Sequence, residues 1–516
     1  MSSRDVTPSP PFEPCAVADV DISVGRSVDD VTGLGAYRRA LVLVRLDGIP
    51  LGYVAAPVES GRIDRTDFVR RIIEGHKGRL VRRLIARRLA GNQPERRDGD
   101  GVPSVSVVVC TRNRPADLAL CLASLDRLVY ADLEVLVVDN AADDAEAERV
   151  VAARERPVRY VREPRPGLSW ARRRGIAEAR GQIIAFVDDD VQVDPKWAQA
   201  IATRFVEQDV AGVLGLVAPL ELETEAQQEF EWHGGFGRGF DRRWLRRRVD
   251  RPTAPDLAST GVFGTGANMA FRRTVFSEVG LFDANLGAGT STEGGEDLDM
   301  IFRVLEAGHT IAYEPAALVW HRHRRERSEL LRQCLSWGRG MSAYLTRSWC
   351  RYRSERRGLA TLARQLLFDY HPRRVLRSVV DRRLRVRLTV GEWYGAMTGA
   401  WRYLRASRRQ PWEPTTTSAS STHRLRTPPQ PAQFIDLNLD ETWPDFWPNE
   451  RGHDRLPVRL VRKGEALGTI EVIAGGRALS RQRVVDAVVA EIDSARLDPT
   501  HSVSAEVQAW FSENSS

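Results

Sequence analysis

Gln182-Ile-Ile-Ala-Phe-Val187, followed at once by Asp188-Asp189-Asp190, is the stretch that decides how this chain is read. The unbroken apolar run from Ile183 to Val187 predicts a short strand buried on both faces, as in a parallel sheet. The carboxyl edge of such a sheet is where α/β proteins bind their ligands. Carboxylates crowded there repel one another, and an unpaired carboxylate is costly to bury. A divalent cation carrying phosphate neutralises such a group, and oxygen ligands suit Mg2+ or Mn2+. An Asp-rich turn left in water is the alternative.

Working outward, apolar strands alternate with amphipathic stretches. Strands are expected at Val105–Val109, Leu133–Val138 and Val158–Val161, and helices at Asp117–Leu128, Ala145–Ala153 and Trp170–Arg180. This order predicts an α/β domain over residues 103–326, a mostly parallel sheet flanked by helices. Residues 327–408 read as a basic amphipathic helical extension, and the Pro-, Ser- and Thr-rich residues 409–450 as a linker.

The ends of the chain look alike. Val44-Arg-Leu-Asp-Gly48-Ile-Pro-Leu51-Gly52 resembles Leu460-Val-Arg-Lys-Gly464-Glu-Ala-Leu467-Gly468. Each copy predicts strand, tight turn, strand and helix, so small ββα accessory modules are expected over 36–95 and 451–495. They either pair with each other or dock separately. Residues 1–35 are expected to be a loose segment and 496–516 a tail.

The chain has 516 residues and a formal charge of +7, nearly all of its cations being arginine. Arginine clusters suit phosphates and anionic surfaces. No nucleic-acid-binding motif accompanies them, so no nucleic-acid partner is expected. The five cysteines form no C-x-x-C pair, which predicts neither a zinc site nor a disulfide framework and fits a reducing cytoplasm. The amino terminus lacks the basic start and apolar core of a signal peptide, and no stretch is long and apolar enough to span a bilayer.

Further motifs stand beside the aspartates. Ser106-Val-Val-Val-Cys-Thr111-Arg-Asn113-Arg114-Pro115 precedes Cys121-Leu-Ala-Ser-Leu; then come Glu134-Val-Leu-Val-Val-Asp139-Asn140, Ala171-Arg172-Arg-Arg-Gly175 and Gly295-Glu296-Asp297. In this order and spacing they resemble family 2 glycosyltransferases of the GT-A fold. The resemblance implies an inverting transfer of sugar from a nucleotide-sugar donor to an acceptor, with Mg2+ or Mn2+.

Under it, Thr111, Asn113, Asp139, Arg172, Asp188 and Asp189 hold the donor, Gly266 and Asn268 line the sugar site, and Asp190 with Asp188 binds the metal. His321 is a third candidate ligand. Arg112 stands where the family most often has an aromatic residue. Glu296 and Asp297 open a helix, whose amino end stabilises the carboxylate that a general base needs. Asp297 is the expected base, with Glu296 beside it. The acceptor expected from the resemblance is a polysaccharide, a lipid-linked sugar or another glycoconjugate. Gly391, Gly395 and Gly399, near Trp393 and Trp401, suit either a closely packed helix or a helix lying on an anionic membrane at its cytoplasmic face. A non-catalytic nucleotide-sugar-binding module is the alternative function.

Overall fold

The computed structural model describes residues 12–23, 28–90, 103–206, 210–247, 264–381, 385–410, 435–438, 446–447, 455–462, 465–473 and 479–491. The chain opens with β1 (Ala16–Ile22), β2 (Arg39–Leu46) and β3 (Ile49–Pro57), followed by the helix Arg65–Ala90. Asp47 and Gly48 turn the β2–β3 hairpin, both with positive φ, as this two-residue turn requires. β1 falls within the segment expected to be loose. It pairs parallel with β2 at the edge of the sheet, and its alternation turns Ala16, Ala18, Val20 and Ile22 toward the module's core.

The central sheet starts with β4 (Val105–Thr111), β5 (Leu133–Asn140), β6 (Val158–Glu163) and β7 (Ile183–Asp188), all parallel. Helices Pro115–Leu125, Glu146–Ala152 and Leu168–Glu178 connect them. Successive strand residues feed opposite cores: Val107 and Val109 pack with Leu118 and Trp197, while Val108 packs with Phe186 and Phe302. β8 (Val191–Val193), β9 (Val210–Pro219), β10 (Arg243–Leu245), β11 (Asn268–Arg272) and β12 (Thr310–His321) complete a nine-stranded sheet. Its order along the main path is β10-β12-β9-β11-β7-β4-β5-β6, with β8 on β12. β11 runs antiparallel to both neighbours, so the sheet is mixed. Chain order reverses between β4 and β7. That switch point opens a crevice at the strands' carboxyl ends, where Thr111, Asp139 and Asp188 stand in neighbouring registers.

Past the sheet, the helix Arg327–Arg351 lies along Val386–Arg409. A Cβ on Gly395 would sit 2.2 Å from the Leu335 carbonyl, and one on Gly399 2.1 Å from that of Arg339. The small-residue spacing thus serves helix packing within the chain. Helices Arg356–Gln365 and His371–Val380 lie between them, separated by a π turn at Leu366–Tyr370.

β13 (Ile435–Asn438) falls inside the expected linker, as does β14 (Phe446–Trp447). β13 runs parallel to β15 (Arg455–Arg462), which pairs with β16 (Glu465–Ile473). β17 (Leu479–Ser480) pairs with β14 and leads into the helix Arg481–Glu491. The order β13-β15-β16 repeats β1-β2-β3, so each copy is a three-stranded unit with a parallel first strand rather than ββα. The helices of the two copies pack together, and Ala86 of the first joins the core of the second. The turn at Lys463-Gly464 and the expected 496–516 tail lie outside the described residues.

Candidate functional site

The Asp triplet sits where β7 stops. The strand ends at Asp188 and the chain turns, so the triplet does not continue the strand's side-chain alternation. Asp189 and Asp190 share Arg114 instead, at 2.7 and 3.0 Å. Thr111, at the end of β4, donates its hydroxyl to Asp189 at 2.8 Å. Asp188 faces Arg172, 3.5 Å away.

Arg172 is fully enclosed on the helix Leu168–Glu178, whose cap is Gly167 and whose Ser169 hydroxyl donates to the Leu286 carbonyl. The Arg172 guanidinium reaches Glu296 at 2.7 Å and the Gly266 carbonyl at 3.1 Å. It thereby joins two acidic groups that lie far apart in sequence. Gly266 fits because a Cβ there would stand 2.8 Å from Arg172 and 3.3 Å from Asp297. Its N–H donates to Asp297 Oδ2 at 2.8 Å, and the Leu298 N–H donates to Oδ1 at 2.8 Å. Asp297 is half-buried in the first turn of the helix Glu296–Glu306.

Charge is distributed unevenly. Burial, with Asp297 beside it, pushes Glu296 up to about 7 against the pull of Arg172. Burial likewise pushes Asp189 up to about 7, with Arg114 opposing and Asp190 adding to the rise. Burial acts on Asp190 too, but His321, Arg114 and Arg324 together hold its carboxyl well below the usual range.

The Asp190 carboxylate also starts a chain of rings. His321 Nε2 lies 3.3 Å from Asp190 Oδ1, and His321 Nδ1 lies 3.0 Å from His323 Nδ1. His323 Nε2 lies 2.8 Å from Glu231. Burial holds His323 below the usual histidine range, so it is neutral near pH 7. With its Nε2–H on Glu231, neutral His323 offers Nδ1 as the acceptor for His321 Nδ1–H, and His321 Nε2 faces Asp190.

Asp139 stands one residue before the end of β5, and its Oδ2 accepts from the Tyr160 hydroxyl at 2.7 Å. Its Oδ1 is buried without a hydrogen-bond partner, and burial raises the carboxyl's pKa. An enclosed, unfilled acceptor is costly and marks a place for a donor group. Asn113 lies at the exposed rim with φ of 53°, bonded to Asp143 at 2.5 Å.

Asn268 is not brought to this crevice. It is fully buried on β11, donating to the carbonyls of Leu216 and Ala317 at 3.0 and 2.7 Å and accepting from Trp197 at 2.9 Å. Its bonds go to the sheet rather than to a sugar. Part of the Gly261–Met269 run, residues 261–263, lies outside the described residues. Among the described residues no group of three or more His, Cys, Asp or Glu side chains is gathered to hold a metal by itself.

The residues that sequence reasoning left without a role are Arg114, Tyr160, His323 and Arg324. Arg114 lay in the quoted Thr111–Pro115 motif; the others meet their partners only through long-range packing.

Carboxylates, a buried guanidinium and an orphaned acceptor thus gather at a sheet switch point, where α/β proteins bind ligands. Residues 106–280 match the family described as Glycosyl transferase family 2, and this part of the chain is a family 2 glycosyltransferase domain. Rat polypeptide N-acetylgalactosaminyltransferase 13 (Rattus norvegicus) is 28% identical over 253 residues, 44% of this chain and 42% of that protein. The pre-mycofactocin glycosyltransferase of Mycobacterium tuberculosis is 28% identical over 250 residues, 48% of each chain. This chain therefore spans less than half the length of either relative. Among solved structures, a mannosyltransferase of Pyrobaculum calidifontis in complex with GDP-Man and Mn2+ aligns at a TM-score of 0.40 and 15% identity, over 64% of this chain and 96% of that one.

Proposed function

We propose that the protein transfers a sugar, with inversion, from a nucleoside-diphosphate sugar to a hydroxyl of a glycan or lipid-linked acceptor. The observation that carries this reading is Arg172, which joins Asp188 to Glu296 and so places the triplet and Asp297 around one crevice. The unfilled Asp139 Oδ1 accepts from the nucleoside, either a pyrimidine N–H or a ribose hydroxyl. Asn113 and Thr111 border the same loop end.

The donor set of Asp190, Asp188 and His321 Nε2 fits Mn2+ or Mg2+ in its chemistry. A cation that also takes phosphate oxygens needs only one or two carboxylates from the protein, so a complete protein cage is not required. When bound, the ion supplies charge neutralisation for the departing diphosphate. Arg114 and Arg324 balance Asp190 from the other side. The His323–Glu231 pair keeps His321 in one tautomer.

Asp297 removes the proton from the acceptor hydroxyl as that oxygen attacks the anomeric carbon. The N–H groups of Gly266 and Leu298 hold its carboxylate in place. The sugar–diphosphate bond breaks in the same displacement, with no covalent sugar–enzyme intermediate.

The test is nucleoside diphosphate release from UDP-, GDP- and dTDP-sugars, with Mn2+ or with EDTA. EDTA-sensitive release from one donor is expected. Metal-dependent donor binding by calorimetry without release, even with glycan and lipid-linked acceptors supplied, would point to a binding module. Neither binding nor release would overturn the proposal.

A further inference from the structure

The C-terminal helices leave one long face uncovered. In the helix Val386–Arg409, Leu388, Gly395, Ala396, Gly399 and Tyr403 turn inward. Val386, Val390, Tyr394, Met397, Trp401 and Leu404 are exposed. These positions recur every three or four residues, so they form one stripe, about 27 Å long at 1.5 Å per residue. The helix His371–Val380 packs beside it and adds Leu376, Val379 and Val380, which are 68%, 68% and 84% exposed. Ser378 and Thr389 bond across the contact at 3.1 Å, so the exposed valines near each gather at that end.

The charge around this face has one dominant sign. Arg373, Arg377, Arg387, Arg405, Arg408 and Arg409 are all exposed. Of the acids nearby, Asp369 pairs with Arg373 at 2.9 Å, Glu392 is turned inward to Arg374 and His233, and Asp381 is engaged at the helix end. Apolar and aromatic side chains framed by exposed guanidinium groups complement the acyl boundary and headgroups of an anionic bilayer. Tyr394 and Trp401 are the aromatic types that settle at that boundary. Among the described residues no helix is long and apolar enough to cross a membrane.

We infer that this face docks the protein onto an anionic lipid bilayer, lying in the interface. Near Trp401 the stripe meets a cleft of about 470 Å³ lined by Trp170, Thr290, Trp401, Arg402, Arg405 and Arg409, among others and with no acidic side chain in its wall. The loop forming that wall continues to Gly287, where a Cβ would sit 3.2 Å from Glu296. Docking therefore brings the lipid surface beside the catalytic crevice. The inference rests on the surface alone and survives if the transferase reading fails.

The experiment is co-sedimentation of the full chain with vesicles of phosphatidylcholine, with and without phosphatidylglycerol. Binding is expected only to the anionic vesicles, and weaker as salt rises. Arg405→Gln with Arg408→Gln should weaken partition about twenty-five-fold, from about five-fold per lost cation. Met397→Glu, at an exposed site, should abolish binding without lowering the melting temperature. Equal binding to both vesicle types, no binding to either, or binding unaffected by Met397→Glu would overturn the inference. So would a solution dimer that Met397→Glu dissociates in the absence of vesicle binding, because a second copy would then cover the face.

Discussion

The Asp188–Asp190 turn and the Glu296–Asp297 pair both bring carboxylates to one crevice, but they are neutralised in different ways. Arg114, Arg172 and Arg324 approach the turn, which also has His321. The second pair has Arg172 on Glu296, whereas the hydrogen bonds to Asp297 come from backbone N–H groups. Guanidinium groups compensate charge strongly and fix it. Backbone N–H groups orient a carboxylate without placing a full charge beside it. In the first cluster Asp190 keeps its charge while burial raises Asp189; in the second, burial raises Glu296 and backbone N–H groups hold Asp297.

Four substitutions test this contrast, the largest effect first. Asp297→Asn should lower turnover about 10²- to 10⁴-fold, the usual share of a general base, with donor affinity retained in calorimetry. His323→Ala should leave the base intact and weaken Mn2+ affinity roughly 10- to 100-fold, as for lost supports of a metal ligand, read by Mn2+ titration. Unchanged Mn2+ affinity would separate the ring chain from the charge-holding cluster.

Glu296→Gln acts on stability. A carboxyl raised to about 7 in the fold, against an ordinary 4.5, costs nothing at acid pH, where it is neutral folded or unfolded. The cost accrues as pH rises from about 4.5 to about 7, because the unfolded chain ionises first. Glu296→Gln removes it, so the variant's advantage in thermal stability should grow between pH 5 and pH 8, on the order of 3 kcal/mol. A difference independent of pH would refute the raised carboxyl. Asn268→Ala should cost about 1–3 kcal/mol through unpaired buried sheet groups and leave donor affinity unchanged.

The same contrast explains what the sequence makes legible. Ile183–Val187 and Val105–Val109 are local apolar runs, and their polar ends fall where parallel strands end, so the crevice can be read from short segments. Asp297 is legible because helix starts have a local signature. The sharing of Asp189 and Asp190 by Arg114 depends on a turn that breaks alternation. The His323–Glu231 contact depends on packing between segments nearly a hundred residues apart. Asn268 misleads because its Gly-rich flank suggests a loop, whereas it lies inside β11. β1 escapes notice because Asp19 and Asp21 make its exposed face look like a polar tail.

The docking of the terminal modules has a consequence for shortened forms of the protein. Arg79 and Arg82 of the first module reach Asp241, and Asp486 of the second takes Arg242, which also binds the buried Glu314. A fragment lacking one module would strip a partner from residues 241–242 and expose the apolar face on which the two module helices meet. For expression and crystallisation, the two ends of this chain are best kept or removed as one piece, with Arg242 retained in either case as the partner of buried Glu314.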